Sequence, residues 1–565
     1  MQLLALERDA PLSQSLIWRR QQEFYAQRGL KAWSEDSVPA YITNNPFIAE
    51  IYAAIVFGFV NDCVGLRGSL SPQRPLRILE LGAGPGKFSF LFLQRLSALL
   101  RDHNIAPAAV RYCMTDGWES MVQSWPSNDY LTHFVDCGML EFALLRAGEE
   151  IRLPFLAGQG PEDRGPLVVI ANYVFDSLPQ DAFVVDQGQI FEALITTQNR
   201  VAQAPGSPDR AGVARDGVEV PGSPDRAGVA RDGVEAPLSV GPGEEPISGL
   251  QFSFKNTSLA TPRYPEPSWN EILELYRRRL PAATILFPCQ ALRVLQEIAG
   301  FSDGTMLVLA SDKGYAHEDA LLLSQGPPAL EFHTANCFSQ TVNFDAIGKY
   351  FEGSGGAALL PDKHFSNLTL CGFLQRRPGE EFPATRAAYR QTQQAFGPDD
   401  LFTLLAWLNA HMEEMTVPQI LSALRLTRWD TTALVRLFPV LGRQIRGVSA
   451  ERPDLRNDLR EAVMRTWANH FPVSHGDNVV AFDCGVILLE LRYFEEAASM
   501  FKASRQMLGP SAATSYNLGL CALGLDRRRE ALEFMEEACN QDPHFEPARA
   551  TRLKLQAEET HDSGS

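Results

Sequence analysis

The sequence predicts a doubly wound α/β domain, interrupted by one insertion and followed by an all-α region. Three observations carry this. The stretch "RILELGAGPGKFSF" at 77–90 reads as strand, glycine turn and helix; later apolar runs of strand type each stop at a polar residue; and two C-terminal segments superpose at an offset of 34 residues.

Composition narrows the field first. A chain of 565 residues is too long for one compact core. Its formal net charge of −17 repels phosphate, so neither nucleic acid nor an anionic membrane surface is an expected partner. The basic run "YRRRL" at 276–280 does not reverse that field. Nine cysteines show no Cys-x-x-Cys pair and no interleaved histidines, which fits reduced thiols and no metal site. The start, "MQLLALERDAPLSQS", lacks the pattern of a targeting peptide. The longest apolar stretch, "IYAAIVFGFV" at 51–60, predicts a buried helix rather than a membrane span, so a cytoplasmic protein without membrane insertion is expected.

Along the chain, residues 1–75 are expected to form an N-terminal helical region and 76–378 the α/β domain. Within it, 205–220 and 221–236 are tandem copies of "PGSPDRAGVARDGVE" with one further residue each. Rich in Pro, Gly and Asp, they offer little apolar surface to offset ordering entropy, so 199–250 is expected to be a disordered insertion. A short binding motif presented twice is the alternative. Residues 379–477 are expected to be a helical linker region, 478–559 helical repeats with a capping helix, and 560–565 a tail.

The loop itself selects a ligand class. Leu81 stands where a phosphate loop needs glycine, and Phe88 where it needs Ser or Thr. Lys87 stands where a dinucleotide fingerprint needs its third glycine. What remains, Glu80-x-Gly82-x-Gly84-x-Gly86, resembles the first motif of class I S-adenosyl-L-methionine-dependent methyltransferases, a Rossmann-like fold with a seven-stranded sheet. The resemblance implies that the three glycines approach the cofactor and that Glu80 meets its cationic side. Asp116, at the end of the strand in "AAVRYCMTDG", would bridge the ribose hydroxyls. Asp136, in "LTHFVDCGML", is a candidate for the adenine amino group, with a solvated turn residue as the alternative.

The segments "AYITNNPFIAEIYA" (40–53), "ANYVFDSLPQDAF" (171–183) and "SQTVNF" (339–344) carry a closer resemblance to the MidA-like methyltransferases, whose mitochondrial members are complex I assembly factors that methylate a protein arginine. It spans roughly 20–375 and implies that Asn172, Tyr173 and Asp176 face the methyl acceptor. The sequence departs from that family's pattern at Tyr173 for Glu, Lys313 for Tyr and Thr341 for His, which puts arginine specificity in doubt because a guanidinium needs carboxylates to hold it. His333 reads as a polar surface or packed histidine rather than a base, and Cys113 and Cys137 as core or cofactor-lining thiols rather than nucleophiles.

The C-terminal periodicity resembles tetratricopeptide repeats: Gly485 and Gly519, and Ala497 and Ala531, are each 34 apart, with Leu518, Ala538 and Pro543 completing the second copy and Phe501 the first. "DLREAVMRTWANHF" (458–471) offers a degenerate third copy, and "EPARATRLKLQAEE" (546–559) a capping helix. The expected function is methyl transfer to a protein side chain, with the repeats recruiting a partner or the substrate. A catalytically idle adaptor and a small-molecule methyltransferase are the alternatives.

Overall fold

The computed structural model describes residues 2–28, 40–68, 70–154, 164–201, 246–324, 326–334, 337–362, 368–394, 396–473 and 479–562. The tandem copies at 205–236 lie outside the described residues.

The chain begins with β1 (Gln2–Ala10) and α1 (Leu16–Arg28), then the long α2 (Pro46–Arg67). β2 (Leu76–Leu81), α3 (Lys87–Asp102), β3 (Val110–Asp116), α4 (Glu119–Ser124), α5 (Asp129–Asp136), β4 (Leu140–Leu144) and β5 (Leu167–Asn172) follow. Next come β6 (Asp181–Asp186), β7 (Gln189–Val201), β8 (Gln251–Ser258), α6 (Pro267–Arg279), β9 (Ala282–Phe287), α7 (Cys289–Ala299), β10 (Met306–Asp312) and β11 (Gly314–Tyr315). β12 (Glu331–Thr334), β13 (Cys337–Ser339), β14 (Val342–Asn343), α8 (Phe344–Gly353), β15 (Ala357–Leu359) and β16 (Thr369–Gln375) complete the α/β part. The helices are α9 (Pro383–Gln394), α10 (Pro398–His411), α11 (Val417–Leu426), α12 (Thr431–Glu451), α13 (Pro453–Ala468), α14 (Val480–Glu490), α15 (Phe494–Leu508), α16 (Ala512–Gly524), α17 (Arg528–Gln541) and α18 (Glu546–Asp562).

Seven strands form the main sheet in the order β15-β16-β10-β5-β2-β3-β4. β10, β5, β2, β3 and β4 run parallel, and β16 is antiparallel to both its neighbours. The central strands are buried on both faces, which is why they read as continuous apolar runs. Alternate residues feed two separate cores. Ile78, Tyr112, Met114, Val168 and Ile170 pack under α2, α3 and α9, while Leu79, Cys113, Val169 and Ala171 pack under α6, α7 and α8.

Several expectations need correction. The first 75 residues are not purely helical, because β1 pairs with β7 in a second, five-stranded sheet with β6, β8 and β9. The insertion is narrower than 199–250: β7 keeps its partner through Gln2↔Val201, and Ile247–Gly249 forms a helical turn leading into β8. The α/β core does not stop at 378, since the Asp62 carboxylate accepts the Ala384 and Thr385 backbone N–H groups and the Tyr389 hydroxyl donates to Leu370, fixing α9 against α2 and the sheet. The tail begins later than 560, because α18 runs to Asp562. Finally, the apolar helix is 22 residues long, enough by length and composition to cross a membrane, but most of it is buried inside this fold.

α14–α15 and α16–α17 are helix pairs joined by short turns. Small residues set their approach: a Cβ on Gly485 would stand 2.7 Å from the Phe501 ring, and one on Gly519 2.6 Å from Met535 Cε.

Candidate functional site

The parallel strands β2, β3 and β5 end at one edge of the sheet, and the loop after β2 supplies the site's floor. Gly82, Gly84 and Gly86 all have positive φ, at 63°, 55° and 92°, a region that side chains with Cβ atoms resist. A Cβ at Gly82 would also meet Val174 Cγ2 at 2.9 Å, and one at Gly86 would meet Met114 Cε at 2.9 Å. The loop is stitched to β3: Ala83 N donates to Thr115 O at 2.9 Å, and Gly84 N to Asp116 Oδ2 at 3.1 Å. The buried Trp125 indole donates to Gly84 O at 2.9 Å. α3 starts at Gly86 with no side-chain cap, so its first N–H groups open toward the edge where the strands end.

Asp116 sits where the sequence places it, at the end of β3. Its second oxygen accepts Trp118 N at 3.1 Å, and burial pushes its carboxyl up to about 6. Glu80 lies under the loop, near the end of β2. It is 3% exposed, accepts the hydroxyls of Ser89 at 2.5 Å and Tyr112 at 2.8 Å, and is pushed by burial up to about 7. Its role in this fold is to tie β2, β3 and α3 together under the loop. Asp136 is a correction: it ends α5, exposed, ahead of β4 rather than at that strand's end, because the run "DYLTHFVD" coils on an Asn128 cap.

Asn172 ends β5, with Oδ1 accepting Tyr52 Oη at 2.5 Å and Ser311 Oγ at 2.8 Å. Its Nδ2 is buried without a partner among the described residues. Tyr173 holds φ at 53°, a conformation that costs an aromatic residue about 1–3 kcal/mol and must be enforced by its surroundings; its N–H donates to Ser311 O at 2.9 Å. Asp176 lies in the next turn, buried. Its backbone N donates to Asp312 Oδ2 at 3.1 Å, and its Oδ1 accepts the Ser177 hydroxyl at 2.9 Å. Burial pushes both above the usual carboxylate range, Asp312 further because it faces Asp176. Lys313 pairs with Glu331 at 2.8 Å, and His333 is an exposed histidine whose Nε2 lies 2.8 Å from Ser339 Oγ. Cys113 is buried with its thiol pushed well up, and Cys137 is exposed.

Sequence reasoning missed two contributions. One is α1: the Tyr25 ring stacks on Trp118, two residues past Asp116, and its hydroxyl lies 3.1 Å from Cys337 Sγ. The other is the helical region. The Asp430 carboxylate, which caps α12, faces the Lys87 ammonium at the start of α3, and Phe471 reaches within 3.8 Å of where a Cβ on Gly86 would stand. No local pattern announces contacts between segments so far apart in sequence.

No curated protein matches the chain. Among solved structures, it is similar to an uncharacterized protein from Burkholderia thailandensis at 13% identity and a TM-score of 0.36, covering 65% of this chain and 87% of that one. A second structure from that organism, of a protein described as a "likely methyl transferase" and bound to S-adenosyl-homocysteine, aligns at 11% identity and a TM-score of 0.34, covering 65% of this chain and 95% of that one. Residues 63–327, which hold the glycine loop, Asp116, Asn172 and Asp176, match the model of a family described as "Putative S-adenosyl-L-methionine-dependent methyltransferase", a family that works with S-adenosyl-L-methionine.

Proposed function

We propose that this protein transfers a methyl group from S-adenosyl-L-methionine to a protein side chain. One arrangement carries the reading: three glycines in left-handed conformations at the end of β2, the middle one bonded to Asp116, directly before an uncapped helix start. These residues fit the cofactor. A cradle without Cβ atoms admits its methionine and ribose parts, the N–H groups of the first turn of α3 suit its carboxylate, and Asp116 keeps lone pairs for ribose hydroxyls. When bound, its sulfonium supplies an electrophilic methyl.

The chain's own contribution is positioning. Tyr52 and Ser311 lock the Asn172 amide, the fixed backbone of Tyr173 sets the wall beside it, and Asp176 anchors the following turn. We read the seven-stranded sheet as the class I methyltransferase fold. The paired helices of 480–541 we read as tetratricopeptide repeats, which would recruit a protein partner or substrate in the cytoplasm.

The test has two stages. Calorimetry with S-adenosyl-homocysteine reports cofactor binding, and radiolabelled methyl transfer into a lysate of cells lacking the gene reports the reaction. Asn172→Ala should leave affinity nearly intact while cutting transfer. Binding without labelling of any protein or metabolite would favour the idle adaptor, label confined to metabolites the small-molecule enzyme, and no binding would end the methyltransferase reading.

A further inference from the structure

Around Asp176 the fold buries side-chain amides that no other described residue meets. Gln180 and Gln340 are each 1% exposed, and neither the nitrogen nor the oxygen of either side chain has a partner among the described residues. Asn172 Nδ2 is likewise buried and unmet. These groups lie on segments that pack on one another. The Gln340 backbone N donates to Asp176 O at 3.1 Å, Gln180 closes the same turn ahead of β6, and β13, just before Gln340, packs on the Phe175–Ser177 turn. α1 lies on β13, where Gln21 Nε2 donates to Phe338 O at 2.6 Å and Tyr25 reaches Cys337. Buried amides are rarely left unmet, so three around one turn mark a place where a ligand completes the hydrogen bonding.

We infer that the acceptor pocket takes an uncharged nitrogen of the carboxamide type, recognised by the amides of Gln180, Gln340 and Asn172. This rests on the methyltransferase reading. Each of the three side chains carries one NH2 group, whichever way the amide is turned, and each such group needs an acceptor. A guanidinium or ammonium has none to give, whereas a carboxamide brings a carbonyl oxygen as well as N–H donors. Charge points the same way. Burial raises the carboxyls of Asp176 and Asp312, and Asp312 further beside Asp176, so the pair favours holding a proton; the Lys313 ammonium is nearby and paired with Glu331, and burial keeps the Tyr25 phenol and the Cys337 thiol protonated. The partly exposed carboxylate beside them, Glu331, is already taken up by Lys313. In the transfer, a bond forms between the acceptor nitrogen and the methyl carbon. The carbon–sulfur bond of the sulfonium breaks with its electrons going to sulfur, and the proton leaving nitrogen passes to the carboxyl pair, which has room for a second one.

The test titrates N-acetyl-glutamine methylamide, N-acetyl-arginine methylamide and N-acetyl-leucine methylamide into the full chain saturated with S-adenosyl-homocysteine. The glutamine probe should bind about tenfold or more tightly than the others, because a site built to hydrogen-bond rejects ligands that leave its polar groups unmet. Gln180→Leu and Gln340→Leu should each erase that preference, and Gln340→Glu, nearly isosteric but charged, should turn it toward arginine. Each variant must bind S-adenosyl-homocysteine as the wild type does, which certifies its fold. A wild-type preference for arginine, or no preference over leucine, overturns this inference alone; failure of the wild type to bind S-adenosyl-homocysteine overturns the methyltransferase reading with it.

Discussion

The ring of Tyr25 lies close to parallel with that of Trp118, with 6.0 Å between centroids and 26° between planes, while its hydroxyl touches Cys337 on the other side of the cleft. One residue of the first helix therefore meets strand ends on both the donor and the acceptor side. α1 can hold it there because its own start is fixed: the Glu7 carboxylate accepts Leu16 N at 2.9 Å, Thr197 Oγ1 at 2.6 Å and the Ser15 hydroxyl. Tyr25→Ala should speed release of S-adenosyl-homocysteine by about tenfold in stopped-flow displacement, the loss of one aromatic stack and its water exclusion. Tyr25→Phe should release it at nearly the wild-type rate. Equal rates for all three proteins would show that α1 does not roof the cofactor.

Asp116 makes cofactor affinity depend on pH. Burial raises its carboxyl to about 6, so the ionised form that accepts ribose hydroxyls is lost as pH falls through that value. Affinity for S-adenosyl-homocysteine should fall below about pH 6 and level off above about pH 7. Asp116→Asn should flatten that profile and weaken neutral binding by about 1.5–3 kcal/mol, the range for a hydrogen bond to a charged group. A flat wild-type profile would remove Asp116 from the cofactor.

Glu80 governs stability instead. With its carboxyl raised from 4.5 to about 7, the folded state binds the proton more tightly than the unfolded chain. Its contribution is present below the ordinary carboxylate value and lost as pH rises through about 7, a swing of about 3 kcal/mol. Glu80→Gln keeps an acceptor for Ser89 and Tyr112 and cannot ionise. Urea denaturation should therefore show the variant gaining on the wild type between about pH 4.5 and about pH 7, and a level difference above that. A constant difference across that range would contradict the assignment.

The helical region divides into a part that touches the loop and a part that does not. Asp430 faces Lys87 at the start of α3, Asn469 Oδ1 accepts Arg95 further along that helix at 3.5 Å, and Phe90 packs on Phe471 with 5.3 Å between ring centroids. Ending the chain after residue 477 should change S-adenosyl-homocysteine affinity by less than about twofold, since α14–α18 pack on α12, α13 and each other. Ending it after 397 should lower both affinity and melting temperature by exposing Phe90 and Tyr130. Asp430→Ala, which loses the α12 cap, should cost about 1 kcal/mol of stability. Calorimetry and thermal melting on the same samples separate these outcomes.

What the sequence discloses and what it hides follow from how local each signal is. Gly82, Gly84 and Gly86 are legible because positive φ selects glycine at the position itself, and Asp116 and Asn172 because a polar residue closing an apolar run marks a strand end. Asp136 misleads for the same reason: a carboxylate two residues ahead of a glycine, at the close of a partly apolar run, reads alike at a helix end and a strand end. The second sheet leaves little trace, since β8 ("QFSFKNTS") is half exposed and mixes polar with apolar residues. The unmet amides of Gln180 and Gln340 leave none. Their importance lies in what surrounds them, not in their spacing.

The pairing of β7 with β8 has a consequence for the history of the gene. Gln198 faces Gln251 in that ladder, so the two ends of the intervening chain are held as neighbours whatever its length. Closing a loop costs free energy that grows only with the logarithm of its length, and the second 16-residue copy adds roughly 0.3 kcal/mol. Selection acting through stability hardly sees such a change. The register of this hairpin thus makes the site between its strands a place where copy number can drift, and proteins that differ here by whole repeats would share the same sheet, the same cleft and nearly the same melting point.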